Sequence, residues 1–292
     1  MQDFPPTELA SRVAAVAGKR PIAWRRTTGG YSSAERWVAT FAEGDSAFVK
    51  AATDAFTREA VRDEYEKVYS RLQASFLPRF LAYDGGDDPL LMLEDLSHAQ
   101  WPPPWRRGQI EAVLALLRDL RGRSPDWLPH HQRIEGWTLV AADPAPFLSL
   151  RLCTEGWLTK QLPVLLEADA AAVWEGHELN HFDVRSDNLC FDGDRLVLLD
   201  WNHACLANGE IDLAFWLPSL VAEGGPAPEA ILPDVPALAA TVAGFYAARA
   251  GVFIPSSPSV WEHRQRVLRH ALPWAVRALD LPPLDGPDAP AT

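Results

Sequence analysis

The sequence has few cysteines, an acidic charge balance and no long apolar run. Its three cysteines, Cys153, Cys190 and Cys205, include no CxxC pair, which favours a reducing compartment over a disulfide framework. With 27 Lys and Arg against 39 Asp and Glu, the net charge of −12 argues against an affinity that depends on nucleic-acid phosphates. No apolar stretch approaches the roughly 20 residues that cross a bilayer, and the first residues do not resemble a secretory signal. We therefore expect a cytoplasmic protein with neither a nucleic-acid nor a membrane partner.

The first hundred residues predict strands and at least one helix. Residues 37–42 and 46–52 are short and rich in β-branched and aromatic side chains, and the turn signal between them predicts a β-hairpin. Residues 55–72 have the apolar spacing of a helix. Residues 78–84 and 89–96 then predict two more strands.

The amino-acid composition changes after the Pro-rich segment at 101–105. The following part is mostly Ala-rich and Leu-rich, and helices are predicted near residues 108–122, 155–175, 236–251 and 259–280. The last dozen residues have the composition of a frayed tail. At 292 residues, the chain exceeds the size at which one core usually stops growing, so its length indicates either one large domain or two lobes.

One polar segment, HFDVRSDN at residues 181–188, interrupts the helical part and leads into a predicted hairpin. Two short apolar runs flank Asp192-Gly193, a strong hairpin turn pair, and Asp200 follows the second run. The hairpin is expected to bring Asp183, Asn188 and Asp200 close together. Carboxylate and amide oxygens suit a hard divalent ion, and Mg²⁺ typically takes one or two protein carboxylates plus substrate phosphates.

These residue types suggest phosphoryl transfer. Asn188 and Asp200 fit the role of metal ligands, and Asp183 is then available to accept a proton from an attacking hydroxyl. Arg185, on the same loop, would offset charge on the transferred group. We assign Asp183 and Arg185 as catalytic.

The pattern His-x-Asp-x-x-x-x-Asn, followed after a hairpin by Asp200-Trp201, resembles the catalytic and metal-binding motifs of the aminoglycoside phosphotransferase and choline kinase family. The resemblance implies an α+β, bilobal, protein-kinase-like fold, with a nucleotide-binding lobe (1–96), a linker (97–106), a helical lobe with the catalytic loop and acceptor site (107–280) and a flexible tail (281–292). It also implies ATP and Mg²⁺ as cofactors and a hydroxyl-bearing small molecule as acceptor.

The same resemblance implies a nucleotide site in the N-terminal part. Its members are Gly29, Gly30 and Ser32 of a Gly-rich turn, Lys50 for the α and β phosphates, Glu64 to position that lysine, and the main chain of Glu94 and Leu96 for the adenine edge. Glu59 and Glu66 remain alternatives to Glu64. Trp101 and Trp105 either border the nucleotide or pack in the core.

Other residues have both a structural and a functional interpretation. His181 is expected to support the catalytic loop, Asp187 either to cap it or to be solvated, and Asp212 to brace its backbone. Residues 209–234, together with the C-terminal helices, are the expected acceptor wall. Either acidic or aromatic side chains there would contact the acceptor, or they have ordinary structural roles: Glu210, Glu223, Glu229 and Asp234, or Phe215, Trp216 and Trp261.

Two other classes of function stay open from the sequence. One is a kinase-like nucleotide-binding sensor without catalysis. The other is a metal-dependent hydrolase that uses His181, Asp183, Asp200 and His203. The hydrolase interpretation gives no role to Lys50 or the Gly-rich turn.

Overall fold

The structure is a computed structural model that describes residues 4–27, 30, 32–255 and 257–290. Its α-helices are α1 (Thr7–Ala17), α2 (Ala55–Glu64), α3 (Gln109–Arg121), α4 (Trp137–Ala142), α5 (Ala145–Leu148), α6 (Glu155–Ala171), α7 (Glu210–Ala222), α8 (Pro228–Ile231), α9 (Pro236–Ala250) and α10 (Pro258–Ala278). Its strands are β1 (Pro21–Arg26), β2 (Glu35–Phe41), β3 (Ser46–Ala51), β4 (Phe80–Asp84), β5 (Leu90–Glu94), β6 (Glu178–Asn180), β7 (Leu189–Asp192), β8 (Arg195–Leu198) and β9 (Cys205–Ala207). A π-helical segment (Tyr65–Tyr69) and two 3-10 turns (Ser186–Asn188, Trp201–His203) complete the regular structure.

The chain divides into two compact units that do not follow its order. The first unit contains residues 1–116, 126–128 and 181–204, and the second contains residues 117–125, 129–180 and 205–292. The segment that carries the HFDVRSDN motif therefore belongs to the same unit as the N-terminal strands, although about 85 residues separate it from β5.

The sheet of the first unit is antiparallel, with strand order β1-β2-β3-β5-β4. Alternate side chains of β2, β3 and β5 pack with Leu9 and Val13 of α1 in a common apolar cluster. Since side chains of a strand alternate between faces, the intervening residues lie on the opposite face. That second face carries Arg36, Phe48, Lys50 and Leu93.

The predicted helix over 55–72 is interrupted. Helix α2 begins at a capping box in which the Asp54 carboxylate accepts the Thr57 N–H and the Thr57 hydroxyl accepts the Asp54 N–H. It ends at Glu64, and residues 65–69 continue as a π-helix. A π-helical turn of this kind often marks a functional site.

The predicted hairpin after residue 188 forms, but its turn lies one residue later than expected. Asp192 still pairs with Arg195, so the two turn residues are Gly193 and Asp194. Gly193 has a φ of 61°, and glycine accepts this conformation without steric cost. Cys190 and Val197 of the hairpin pack with Leu96.

The second unit is mainly helical, and helices α9 and α10 make the most extensive packing in it. Helix α9 buries several alanines, whose small side chains allow close approach of the neighbouring helices α6 and α10. Trp216 of α7 and Trp274 of α10 fill its core. Strands β6 and β9 form a two-stranded antiparallel ladder. Within the part of the chain that is described, none of the helices is both long and apolar enough to cross a bilayer.

The C-terminal segment, which composition predicts to be flexible, makes hydrogen bonds to α6 at Pro282 and Asp285. Both carboxylate oxygens of Asp285 accept from Thr154, one from its N–H and one from its hydroxyl, each at 2.7 Å. The indole N–H of Trp157 donates to the Pro282 carbonyl at 3.0 Å. These bonds attach the tail to the first turn of α6, where Thr154 is the N-cap. Side-chain and backbone partners outweigh the Pro-rich composition here.

Candidate active site

Lys50 and Glu64 form a buried ion pair in the first unit. The Lys50 Nζ lies 2.8 Å from the Glu64 Oε2, and the two side chains are 7% and 1% exposed. The pair joins the face of the sheet opposite α1 to the last residue of α2. The alternatives Glu59 and Glu66 are exposed, as expected for solvated helix charges.

The second oxygen of Glu64 also has partners, and the π-helix supplies one of them. The Tyr69 hydroxyl and the Trp201 N–H each lie 3.4 Å from Glu64 Oε1. In an α-helix, residues five apart are rotated by about 140° and face different ways, whereas a π-turn brings them nearly into line. The π-segment therefore places the Tyr69 hydroxyl against Glu64, and sequence periodicity gave no sign of this contact.

Asp200 shares Lys50 with Glu64. Its Oδ1 lies 2.5 Å from the Lys50 Nζ, and its backbone has a φ of 65°. Burial alone would raise the pKa of this carboxyl, but Lys50 outweighs burial and holds the pKa at about 2. For Lys50, burial alone would lower the pKa, and the carboxylates of Asp200 and Glu64 raise it above the usual value instead. Both groups are thus charged at neutral pH.

The turn after Asp200 is anchored by an aromatic side chain and a lysine. Trp201 is fully buried, and its indole N–H donates to the Leu198 carbonyl at 2.7 Å. Lys67 of the π-segment donates to the Asn202 carbonyl at 3.1 Å. These contacts fix the position of Asp200 on both sides of its strained backbone.

His181 supports the loop through its two ring nitrogens. Nε2 lies 2.8 Å from the Leu199 carbonyl oxygen, and Nδ1 accepts the Asp183 N–H at 3.2 Å. Burial lowers the pKa of His181 to about 4, so the ring is neutral at pH 7. Because both nitrogens bond to backbone, the geometry matches the structural role that we expected and gives no support to the hydrolase interpretation.

Asp183 and Asn188 are held together by the amide of Asn188. Its Nδ2 donates to the Asp183 carbonyl at 2.9 Å and to the Asp183 Oδ2 at 2.8 Å. Burial raises the pKa of Asp183, against the opposing charge of Arg185. Arg185 lies 3.2 Å from Asp183 and 3.1 Å from Asp187, so its charge already has two carboxylate partners. Asp187 thus pairs with Arg185 on the loop.

Asn188 and Asp200 fit the donor set of a magnesium site. The Asn188 amide nitrogen donates to Asp183, so the amide oxygen is the atom through which this cavity-lining residue would bind a cation. The Leu199 N–H donates to the Asn188 carbonyl at 2.7 Å, and this bond keeps Asn188 beside the residue that precedes Asp200. One carboxylate and one amide oxygen suit an ion that keeps most of its coordination for water and phosphate.

A cavity of about 520 Å³ is lined by most of the side chains described above, and all of its lining residues belong to the first unit. Part of the wall is apolar, from Phe48, Leu93 and Leu199. The rest includes predicted site residues, namely Gly30, Lys50, Glu64, Glu94, Leu96, Asn188 and Asp200. The combination of an apolar wall with converging charges is typical of a small-molecule site.

The predicted adenine contacts are constrained by existing hydrogen bonds. The Glu94 N–H donates to the Arg79 carbonyl, and the Glu94 carboxylate accepts from the Arg195 guanidinium at 2.5 Å. The Leu96 carbonyl accepts from the Ala99 N–H at 3.0 Å and from the Trp101 indole at 3.3 Å. The Leu96 N–H, which has no backbone partner in the described part of the chain, is thus the donor that this segment offers.

The predicted Gly-rich turn is only partly described. Gly29 lies outside the described residues, while Gly30 lines the cavity with a φ of 78°. The Ser32 hydroxyl accepts from the Arg36 guanidinium at 2.6 Å. Sequence analysis missed Arg36, which also lines the cavity. Its signal was available, because a hairpin that turns at 43–45 places residue 36 opposite residue 50.

The expected acceptor residues all lie in the second unit, and several have structural partners there. Trp216 is fully buried, and Phe215 packs against Trp174, Phe245 and Tyr246. The Glu229 carboxylate pairs with Arg277 at 2.7 Å, and Glu210 lies 3.7 Å from Arg121. Asp212 is also buried. Their roles toward an acceptor stay predictions.

Comparison with known proteins gives matches in structure but not in sequence. No protein-family model and no curated protein matches the chain. A choline/ethanolamine kinase family protein from Mesorhizobium loti has a TM-score of 0.61 at 16% identity, covering 94% of this chain and 97% of its own. A choline kinase from Streptococcus pneumoniae has a TM-score of 0.58 at 13% identity, covering 94% and 98%. An aminoglycoside phosphotransferase in complex with ADP and hygromycin B has a TM-score of 0.57 at 15% identity, covering 94% and 98%.

The chain has the protein-kinase-like fold of small-molecule kinases. The α+β fold class is therefore confirmed. The fold that the resemblance of the motifs implied is confirmed as well. The antiparallel sheet, the helical part and the small hairpin after the HFDVRSDN segment are all present. At 13–16% identity, these similarities say nothing about the acceptor.

Proposed function

We propose that this protein is a small-molecule kinase that transfers the γ-phosphoryl group of ATP to a hydroxyl. The observation that carries the proposal is the convergence of Lys50, Glu64, Asn188 and Asp200 on one cavity, with Asp183 bonded to Asn188. Phosphoryl transfer depends mainly on positioning and charge stabilisation, and this set provides both. Structurally similar proteins solved with ADP or AMP-PNP support nucleotide as the donor.

The proposal assigns a role to each of these residues. Lys50, held by Glu64, binds the phosphates, and the Leu96 N–H meets the adenine edge. Asn188 and Asp200 would hold Mg²⁺, which would neutralise charge on the phosphates. Residues 1–96 form the nucleotide-binding part, and residues 107–280, reached through the linker 97–106, supply the acceptor contacts.

Asp183 is the base in this proposal. The acceptor oxygen forms a bond to the γ-phosphorus, the bond from that phosphorus to the bridging oxygen breaks, and ADP leaves. Asp183 takes the hydroxyl proton, and a pKa raised by burial brings this carboxylate nearer the working pH of a base. Arg185 holds Asp183 in place and offsets charge on the transferred group.

The acceptor class is an amino alcohol, an amino sugar or a hydroxylated antibiotic. Solved structures of the same fold are described as aminoglycoside, spectinomycin, choline, fructosamine and amicoumacin kinases, so hydroxyl acceptors are common to them. The net charge of −12 favours cationic acceptors among these.

The test is phosphoryl transfer measured by mass spectrometry. The protein is incubated with ATP and Mg²⁺ and a panel of aminoglycosides, macrolides, choline, amino sugars and homoserine. We expect one class to gain the mass of a phosphoryl group with the parent and not with Asp183→Asn. Transfer at the parent rate by Asp183→Asn would contradict the assigned base. ATP binding without transfer to any acceptor would favour the sensor function instead.

A further inference from the structure

Arg36 is a second cation beside Lys50 on the cavity face of the sheet. The two residues are direct cross-strand partners of β2 and β3, so their side chains lie on the same face. Both line the cavity. Like charges at directly opposite positions of a sheet destabilise the pairing, and nearby anions reduce this cost.

Lys50 has anionic partners, but Arg36 has none at bonding distance. Lys50 contacts the carboxylates of Glu64 and Asp200. The guanidinium of Arg36 instead donates to neutral oxygens, the Ser32 carbonyl at 3.1 Å, the Ser32 hydroxyl at 2.6 Å and the Ala34 carbonyl at 3.0 Å. Within the described residues, no carboxylate lies within 4.0 Å of it.

The surroundings of Arg36 remove much of its hydration. Burial lowers the pKa of the guanidinium, against the more distant carboxylates of Asp200 and Glu64, although an arginine stays protonated at neutral pH. A desolvated cation without an ion-pair partner is costly. A cavity that presents such a cation is therefore prepared for an anion.

Arg36 is also attached to the Gly-rich turn. A Cβ added at Gly30 would lie 2.8 Å from both Cζ and Nη2 of the guanidinium, so the glycine backbone packs directly on it. Bonds to Ser32 fix the other side of the same turn. The guanidinium charge is thus held between Gly30 and Ser32.

We propose that Arg36 binds the phosphate chain of the nucleotide and couples it to Gly30 and Ser32. The inference rests on the proposed function, because it takes a nucleoside di- or triphosphate as the ligand. Lys50 is already shared between two carboxylates, whereas Arg36 offers an entering phosphate chain a positive charge that has no carboxylate partner within 4.0 Å in the described part of the chain. Its planar fork also suits two phosphate oxygens at once.

The experiment compares binding of MgADP, adenosine and inorganic pyrophosphate to the parent, Arg36→Met and Arg36→Lys by calorimetry. Losing a charge-assisted bond predicts that Arg36→Met binds MgADP about ten- to a hundredfold more weakly. Adenosine affinity should stay within about twofold, because the nucleoside has no phosphate. Pyrophosphate should also bind more weakly to Arg36→Met, as MgADP does. Arg36→Lys should recover part of the lost affinity, since lysine keeps the charge but not the planar fork.

The matched control is Arg58→Met, which removes a surface arginine that pairs with Asp88. Its MgADP affinity should equal that of the parent. Unchanged MgADP affinity in Arg36→Met, together with a loss in Lys50→Met, would overturn the inference and leave the proposed function intact. Failure of the parent to bind MgADP would overturn the proposed function itself. If Arg36→Met does not fold, Arg36→Lys and the milder Ser32→Ala give the same comparison of MgADP with adenosine.

Discussion

Two buried carboxylates, one in each unit, have opposite surroundings. Glu64 in the first unit shares one cation with Asp200 beside an open cavity. Asp169 in the second unit has a cation of its own, Arg133, at 2.9 Å, and it accepts the Thr241 hydroxyl at 2.7 Å. The second arrangement is balanced without a ligand. In the first unit, two carboxylates share one lysine, and a nearby arginine has no carboxylate partner among the described residues. An anionic ligand together with a metal ion would balance these charges.

The comparison teaches where buried charge serves stability and where it serves binding. A closed network such as that of Asp169 stabilises one packing of α6 against α9, since Thr241 belongs to α9. An incomplete network keeps its groups available for a ligand at some cost to stability. Equivalent substitutions in the two units should therefore have different effects.

The largest expected effect is loss of activity in Asp200→Asn. The substitution removes the proposed metal-binding charge, so we expect kcat to fall about a thousandfold or more. The urea midpoint of unfolding should change little, because Lys50 keeps Glu64 as a partner. The measurements are single-turnover transfer and urea titration. If Asp200→Asn unfolds more easily but still transfers phosphate, the buried charges of the first unit serve stability, which would reverse the comparison between the two units.

The same change in the second unit, Asp169→Asn, should affect stability instead. Arg133 loses its carboxylate, and we expect the free energy of unfolding to fall by about 1–3 kcal/mol. The lower part of this range is favoured because the Arg133 side chain is 37% exposed and solvent screens its charge. Urea titration at neutral pH measures the change. The activity of the folded fraction should stay within about twofold, and a large loss of kcat would contradict a purely structural role.

A smaller effect is expected from the pH dependence of His181. Its pKa falls from 6.5 to about 4 on folding, so between these values the unfolded chain binds a proton that the folded chain does not. The free energy of unfolding therefore decreases as the pH falls through this window. Between about pH 7.5 and 5.5, the parent should lose on the order of 1 kcal/mol more than His181→Gln. Equal losses in urea titrations of the two proteins would show that His181 does not contribute.

The smallest expected effect is that of Tyr69→Phe. The hydroxyl is 3.4 Å from Glu64, a long contact, so its removal should reduce kcat/KM for ATP only about two- to fivefold. Steady-state kinetics compares it with Tyr83→Phe, in which the lost hydroxyl belongs to a ring that stacks on Tyr65 instead. If both variants lose activity equally, the π-helical contact has no specific role in positioning Glu64.

Local pattern predicted several parts of the molecule well. The hairpin of β2 and β3 and the helix pattern of α10 follow from alternation and period, which depend on near neighbours in the sequence. The turn after Asp192 was placed one residue early, because two-residue turns with glycine at either central position have similar sequences. Composition gave no sign of the hydrogen bonds of the C-terminal segment, since their partners Thr154 and Trp157 lie more than 120 residues away in the sequence.

The sequence by itself determined the chemistry of the candidate site, because the spacing of Asp183, Asn188 and Asp200 around one hairpin is encoded locally. Only the tertiary structure decided which glutamate pairs with Lys50, and it also revealed the contacts of Tyr69 and Arg36. The physical reason is that these assignments depend on strand register, on the local winding of a helix and on which charges lose water. Those quantities arise from contacts between distant segments, and no single segment specifies them.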